Sequence, residues 1–157
     1  MTTNLEKLSV KQEQKVDANV LLFHVRLPVR FTVDGQALDR SLHITKTAED
    51  FYLRLAKAPS IVRIDPYVTL LAKLSFTPTT ALLHAQLADE SDALGRLQAV
   101  ELMAKHKNKT TREKLKHALQ NDPFYAVRLA ASIALRGIGG DDAFAALTDS
   151  TDQPNAK

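Results

Sequence analysis

Residues 20–33, VLLFHVRLPVRFTV, alternate between apolar and polar side chains over most of their length. A period of two is typical of a strand with one buried face. Pro28 has no N–H to donate to a sheet, so the pattern predicts either an edge strand or an outward-facing backbone at that position. Asp34-Gly35 predicts a tight turn, after which a second strand should follow. The apolar side of the first strand consists of Phe23, Val25, Leu27, Val29, Phe31 and Val33.

Four more short segments have the length and composition of strands. They are LSVKQEQ at residues 8–14, SLHIT at 41–45, FYLRL at 51–55 and IVRID at 61–65. The region around FYLRL also fits a short amphipathic helix, although the pattern favours a strand. Together these segments predict a small antiparallel β-sandwich over residues 1–65.

After Asp65-Pro66 the apolar residues follow a helical period, and the chain becomes similar to itself when it is shifted by 32 residues. Arg96 then falls on Arg128 and Ala99 on Ala131. A repeat of this length is typical of stacked helical units. The sequence therefore predicts helical repeats over residues 66–157, in which the third repeat is incomplete because no helix is predicted after DDAFAALTDS at 141–150.

The helix predicted from PFYAVRLAASIALRG, residues 123–137, has the clearest signals at both of its ends. Asp122 is a candidate N-cap, and Pro123 would occupy the first helical position. Gly137, Gly139 and Gly140 should end the helix. One side of it forms an apolar stripe of Val127, Ala130, Ala131, Ala134 and Leu135, in which small alanines allow close packing.

The segment NDPFYAVRLAASIAL, residues 121–135, resembles the second helix of a HEAT repeat. In that family an aspartate in the turn within a repeat, and an arginine five or six positions later, form a ladder between neighbouring repeats. The resemblance places Asp122 and Arg128 at these positions, and Glu90 (or Asp89) and Arg96 one repeat earlier. A structural role for the arginine is implied, since a guanidinium makes charge-assisted bonds to carboxylates or turn carbonyls. We call Glu90, Arg96, Asp122 and Arg128 the turn ladder.

The order of the predicted elements resembles the C-terminal part of gluzincin aminopeptidases of the aminopeptidase N type. The segments that carry this resemblance are LSVKQEQ, FHVRLPVRF, the junction IVRIDPYVTLLAKLSF, DALGRLQAVELM and DPFYAVRLAASIAL. The resemblance implies a non-catalytic C-terminal fragment of a zinc-dependent aminopeptidase, an enzyme that removes N-terminal amino acids from peptides. The fragment would pack against its own catalytic domain, and the zinc cofactor would lie in that domain rather than in this chain.

The zinc motif of that family, H-E-x-x-H, begins at none of the five histidines, and the Gly-x-Met-Glu-Asn substrate segment is also missing. We therefore predict no catalytic, cofactor-binding or metal-binding residue in this chain. The alternative function is a HEAT-repeat scaffold for protein-protein interaction. It would resemble the inactive aminopeptidase-like subunits of transcription factors and would bind a protein partner on its helical surface.

The charge and hydropathy of the chain argue against nucleic acid and membrane as partners. The net charge is +3, from 21 basic and 18 acidic residues, which is too small an excess to indicate nucleic-acid binding. The densest basic segment, KHKNKTTREKLK at residues 105–116, contains no aromatic residue that could stack on bases. There is no apolar run of membrane-spanning length, and the first 15 residues lack the apolar core of a signal peptide. We expect a soluble chain that binds neither nucleic acid nor membrane, in a compartment that the sequence leaves open.

Other candidate chemistry is sparse. The absence of cysteine excludes disulfides, thiolate zinc sites and cysteine nucleophiles. His84 and His117 are predicted to be solvated on polar helix faces, and GIGGDD lacks the lysine of a phosphate-binding loop. His24, Arg26 and Arg30 project from one strand face, where the sequence favours solvation over contact with a neighbouring domain.

Overall fold

The structure, a computed structural model, describes residues 4–151. In these residues antiparallel strands in two sheets are followed by five helices, which confirms the predicted fold class of a small antiparallel β-sandwich followed by HEAT-like helical repeats. The strands are β1 (Asn4–Lys11), β2 (Val25–Val33), β3 (Gln36–Ile44), β4 (Ala48–Leu55) and β5 (Ile61–Ile64).

In the three-stranded sheet, β2 is the central strand, with β3 on one side and β5 on the other. Of the two alternatives predicted for Pro28, the edge strand is therefore wrong, and the other, a backbone position that points away from a paired strand, agrees with the structure. Pro28 is tolerated because β5 pairs only with Val29 to Thr32, so the missing N–H of Pro28 lies outside the β2–β5 ladder. At the end of this ladder the Pro28 carbonyl accepts a hydrogen bond from the Asp65 N–H at 2.8 Å. The turn predicted at Asp34-Gly35 is present between β2 and β3, and both of its residues have positive φ, at 50° and 75°.

The second sheet pairs β1 with β4 in antiparallel register. FYLRL forms part of β4, so the helical alternative for that region is wrong; Phe51 pairs with Leu8 and Leu53 with Glu6. Phe23 is more than half exposed and lies before β2, so it does not extend the apolar side of that strand. The buried apolar residues of this part of the chain are Leu27, Val29, Phe31, Leu42, Ile44, Leu55, Ile61 and Val62.

The chain divides into two compact units between Phe76 and Thr77. We name them the strand unit and the helical unit. The first residues after Asp65 belong to the strand unit because the Asp65 carboxylate accepts hydrogen bonds from Thr69 and from the Leu70 N–H. Burial raises the pKa of Asp65, but the hydrogen bonds from Leu70 and Thr69 outweigh burial and lower it overall.

The helical unit has one apolar core, and α2 and α4 pack against each other within it. Side-chain caps begin three of its helices: the Thr79, Asp92 and Asn108 side chains accept hydrogen bonds from the N–H groups of Leu82, Gly95 and Thr111. None of the helices in residues 4–151 is long and apolar enough to cross a membrane. The helices are α1 (Thr80–Leu87), α2 (Ala93–Met103), α3 (Lys109–Asn121), α4 (Tyr125–Ile138) and α5 (Asp141–Thr148).

The ends of α4 differ from the sequence prediction. Phe124 is the N-cap and provides no side-chain hydrogen bond, while Asp122 is the C-cap of α3, so the helix begins two residues later than predicted. Gly137 lies inside α4 and does not end it. Gly139 is the C-cap, with φ of 68°, a left-handed value that favours glycine.

Candidate protein-interaction surface

Arg96, on α2, connects two consecutive turns of the helical unit. Its Nη1 donates to the carbonyls of Asp89 and Glu90 at 3.0 and 2.8 Å, in the turn before α2. Its Nε and Nη2 donate to the Asp122 carboxylate at 2.7 and 3.1 Å, in the turn before α4. The two charged side chains are only 4% and 6% exposed. The guanidinium therefore joins one repeat to the next by a buried bidentate ion pair.

Asp122 also organises the turn to which it belongs. Its Oδ1 accepts a hydrogen bond from the Phe124 N–H at 2.9 Å, which holds the chain in the bend between α3 and α4. The hydrogen bond to Asp122 is the main cause that raises the pKa of Arg96, and it outweighs the opposing effect of burial. The Arg96 guanidinium is thus held in its charged form.

Arg128, on α4, repeats half of this arrangement. Its Nη1 donates to the carbonyls of Asp122 and Pro123 at 2.8 and 3.3 Å, and the first of these bonds spans six residues, as the bond from Arg96 to Glu90 does. Among residues 4–151, no carboxylate forms an ion pair with Arg128. The turn ladder therefore includes a carboxylate contact between α2 and the turn before α4, whereas the described part of the chain provides Arg128 with bonds to backbone carbonyls alone.

The structure places all four turn-ladder residues close together, but in roles that the sequence assigned only in part. Glu90 contributes its backbone carbonyl, whereas the carboxylate that binds Arg96 comes from Asp122 in the following repeat. Arg128 binds the carbonyl of Asp122 rather than its carboxylate. The repeat period identified Arg96 and Arg128 as equivalent positions. It did not predict that the Arg96 side chain binds a carboxylate of the following repeat.

Corresponding residues of α2 and α4 differ in their burial. On α2, Val100 is buried and Leu97 packs against the core, as does Ala104, the C-cap that follows the helix. Their counterparts 32 residues later are Leu129, Ser132 and Arg136 on α4; Leu129 is 57% exposed, Arg136 is exposed and Ser132 is partly buried. On α2 these positions lie on the same side of the helix as Arg96, which faces the next repeat. Within residues 4–151, no helix packs on the same side of α4, and Leu129 and Arg136 are exposed there.

This uncovered side of α4 carries a stripe of apolar residues. Tyr125, Leu129 and Ile133 are spaced four residues apart, so they lie along one side of the helix, and they are 60%, 57% and 52% exposed. We name the set Tyr125, Leu129, Ser132, Ile133 and Arg136 the open face of α4. A contiguous group of exposed apolar side chains is typical of a protein-interaction site.

A second surface feature is a groove of about 540 Å³, lined by residues of α1 and α3, by Arg96 of α2 and by the adjoining turns. Glu90 and Glu113 line it together with Arg96 and Lys114, so the groove favours neither anions nor cations. The prediction of a solvated His84 is wrong, because this residue is partly buried and its Nε2 has no hydrogen-bond partner among the described residues. Burial, Lys114 and His106 all lower the pKa of His84. His117 is exposed.

In the strand unit, Arg30 makes a bidentate ion pair with Asp39 at 2.6 and 2.7 Å and donates a hydrogen bond to the Tyr67 hydroxyl. The Arg30 guanidinium holds the pKa of Asp39 below its usual value.

His24 lies just before β2, with its ring edge-on to that of His43. In the part of the chain that the structure describes, no group of three or more His, Cys, Asp or Glu side chains could hold a metal ion.

A family model described as HEAT repeats matches residues 80–157, which covers all five helices. No curated protein matches the chain. The match agrees with the paired helices, with the 32-residue period and with the buried arginine and aspartate that join consecutive turns. The helical part of the chain is therefore similar to HEAT repeats, and it follows an antiparallel β unit.

Proposed function

We propose that this chain is a protein-interaction module whose binding surface is the open face of α4. The observation that carries the proposal is the exposure of Tyr125, Leu129 and Ile133 along one side of a helix whose opposite side is fully packed. Each repeat of a helical array buries its apolar side against its neighbours, so an apolar side left open is available to a partner. HEAT repeats provide a rigid helical support for such a surface.

Paired substitutions test this proposal. The variant Leu129→Ser/Ile133→Ser removes apolar surface without opening the core, because both residues are more than half exposed. Its matched control is Leu21→Ser/Phe23→Ser, which removes two exposed apolar residues from the strand unit. Proteins that copurify with the full chain should be lost with the α4 variant and retained with the control. Retention of the same proteins by both variants would contradict the proposal.

A second candidate is the non-catalytic, domain-packing module of a zinc-dependent aminopeptidase of the aminopeptidase N type. Its support is the order of elements, with strands, the junction IVRIDPYVTLLAKLSF and then HEAT repeats. In this proposal the partner is the catalytic domain of the same protein, and that domain holds the zinc. The gene that encodes the chain provides the test: an H-E-x-x-H motif in the same reading frame favours this candidate, and a frame without one contradicts it.

A further inference from the structure

We propose that His24, Arg26 and His43 form a binding site for a phosphate monoester group. These residues belong to the strand unit, so the inference goes beyond the proposed function and does not depend on the open face of α4. Arg26 lies on β2, His43 lies on β3, and His24 immediately precedes β2. We name the three side chains the β2–β3 basic cluster.

Strand register brings the members of the cluster together. Arg26 is directly opposite His43 in the antiparallel pair of β2 and β3, so their side chains lie on the same face of the sheet. The ring of His24 is perpendicular to that of His43, with 6.5 Å between the ring centroids. All three residues are exposed. A small anion in solvent therefore has access to the guanidinium and to both imidazoles.

The next cross-strand pair with an arginine on this face shows what Arg26 lacks. Arg30 is directly opposite Asp39, whose carboxylate accepts hydrogen bonds from the guanidinium at 2.6 and 2.7 Å. Arg26 is opposite a histidine instead of an acid. Within residues 4–151 the Arg26 guanidinium has neither a hydrogen bond nor an ion pair. Its donors are therefore available to an anion.

The acidic residues nearest to His43 in the sequence are bonded to other groups. On one side, the Asp39 carboxylate binds Arg30. On the other side, the Glu49 carboxylate accepts hydrogen bonds from the N–H and the hydroxyl of Thr45, at 2.9 and 3.0 Å. Neither carboxylate is left to neutralise the cluster.

The position of His24 is fixed by the residue before it. The Gln12 side-chain amide donates to the Phe23 carbonyl at 2.8 Å and accepts from the Phe23 N–H at 3.2 Å. The same amide donates to the Lys46 carbonyl at 3.2 Å, so it joins the segment before β2 to the segment after β3. The backbone on both sides of the cluster is thus held in place before a ligand arrives, which lowers the entropic cost of binding.

The set of donors fits a phosphate group better than a carboxylate or a metal ion. A single guanidinium fork is enough for a carboxylate, as Arg30 and Asp39 show. The perpendicular imidazoles add N–H donors in other directions, and a phosphate monoester has three acceptor oxygens and a charge of about −1.5 to −2 with which to meet them. A cation between the two imidazoles would be repelled by Arg26.

An NMR titration of the full chain with inorganic phosphate, at constant pH and ionic strength, tests this site. The imidazole signals of His24 and His43 should shift and saturate. Arg26→Gln should weaken binding about tenfold, the size of one lost charge-assisted contact, and His24→Asn should also weaken it. Arg40→Gln is the matched control, because this exposed arginine lies on β3 opposite Val29, on the other face of the sheet.

A second probe, a short glycine-serine peptide with one phosphoserine, distinguishes the two sources of such a group. Tighter binding of this peptide than of inorganic phosphate would identify a phosphorylated protein segment as the ligand, and equal binding would identify a small phosphate compound. In either case Leu129→Ser/Ile133→Ser should leave the affinity unchanged, so failure of this inference and failure of the proposed function are separate results.

Four outcomes would overturn the proposal. They are no saturable shift with phosphate, equal shifts with acetate at the same concentration, equal weakening by Arg26→Gln and Arg40→Gln, or saturable shifts with zinc chloride that Arg26→Gln strengthens. The second outcome would indicate a carboxylate site, the third a general attraction of anions and the fourth a metal site. Thermal melting of each variant checks that it is folded.

Discussion

Helices α2 and α4 occupy the same position in consecutive repeats, yet one is enclosed and the other is open. On α2 the arginine meets a carboxylate from the next repeat, and the residues beside it are packed. On α4 the arginine holds only its own turn, and the residues beside it are exposed. Part of the difference lies in the sequence, because Ser132 and Arg136 stand where the earlier repeat has Val100 and Ala104. The rest depends on the neighbouring repeat, because Leu97 and Leu129 are identical and yet only Leu97 packs against the core.

The largest expected effect comes from breaking the closed contact. Asp122→Ala leaves the buried Arg96 guanidinium without its carboxylate and removes the bond to the Phe124 N–H. It should lower the free energy of unfolding of the helical unit by about 3–5 kcal/mol, the range for one partner of a buried ion pair. Arg128→Ala should cost about 1–2 kcal/mol, because it removes hydrogen bonds to carbonyls only. Denaturant unfolding measures both values, and equal losses would contradict the distinction between closed and open positions.

The next comparison concerns the leucines beside the two arginines. Leu97 packs against the core, so Leu97→Ala should lower the free energy of unfolding by about 1–2 kcal/mol, less than for a fully buried leucine. Leu129→Ala, at the equivalent position of α4, should change it by less than about 0.5 kcal/mol because the side chain is mostly in solvent. Thermal or denaturant melts of the two variants provide the measurement. A loss at Leu129 as large as that at Leu97 would show that the face is covered in the free protein.

A smaller effect is expected from the ion pair of the strand unit. Arg30 and Asp39 form a bidentate pair like that of Arg96 and Asp122, but their side chains are 22% and 52% exposed. Solvent screens the pair, so Asp39→Ala should lower the free energy of unfolding by only about 0.5–1 kcal/mol. Denaturant melts of Asp39→Ala alongside Asp122→Ala test whether burial, rather than bidentate geometry, determines the cost. Similar losses for the two variants would exclude burial as the cause.

The smallest expected effect is a pH dependence at His84. Its lowered pKa means that the unfolded chain binds the proton more readily than the folded chain does. Neutral His84 therefore contributes fully to stability above the ordinary histidine pKa of 6.5. This contribution is lost as the pH falls from 6.5 through the lower pKa of His84 in the folded state. His84→Gln should flatten this part of the stability curve, and His117→Gln, at an exposed position, is the control substitution. Urea melts between about pH 7.5 and pH 5 measure the slope, and curves of equal slope for wild type and His84→Gln would contradict the assignment.

The order of strands and helices could be predicted from the sequence, because the period of two in the first part of the chain differs clearly from the helical period in the second part. Alternation around Val29 identified a strand, and the spacing of Val127, Ala131 and Leu135 identified a helix. Position within a sheet could not be predicted in this way. Pro28 suggested an edge, but β2 is central, because a missing N–H is harmless where a neighbouring ladder ends and no local pattern marks that point.

The candidate surface could be predicted only in part. The 32-residue period identified Arg96 and Arg128 as equivalent, and the resemblance to HEAT repeats identified Asp122. The partner of Arg96 lies 26 residues away, so its identity depends on how the repeats stack, which no short spacing encodes. The exposure of Leu129 and Ile133 was missed for a related reason. Hydrophobic spacing locates a helix face, but it does not state whether another helix covers that face.

The joint between Arg96 and Asp122 has a consequence for how such a chain can change its length during evolution. A 32-residue segment over residues 97–128 carries the turn carboxylate of Asp122, which receives Arg96, and also Arg128, which stands at the position equivalent to Arg96. A tandem duplication of one segment would therefore supply both halves of every new joint, with no compensating substitution elsewhere. Gene duplication can therefore extend this array in whole repeats, whereas an insertion within α3 would change the position of Asp122 relative to Arg96.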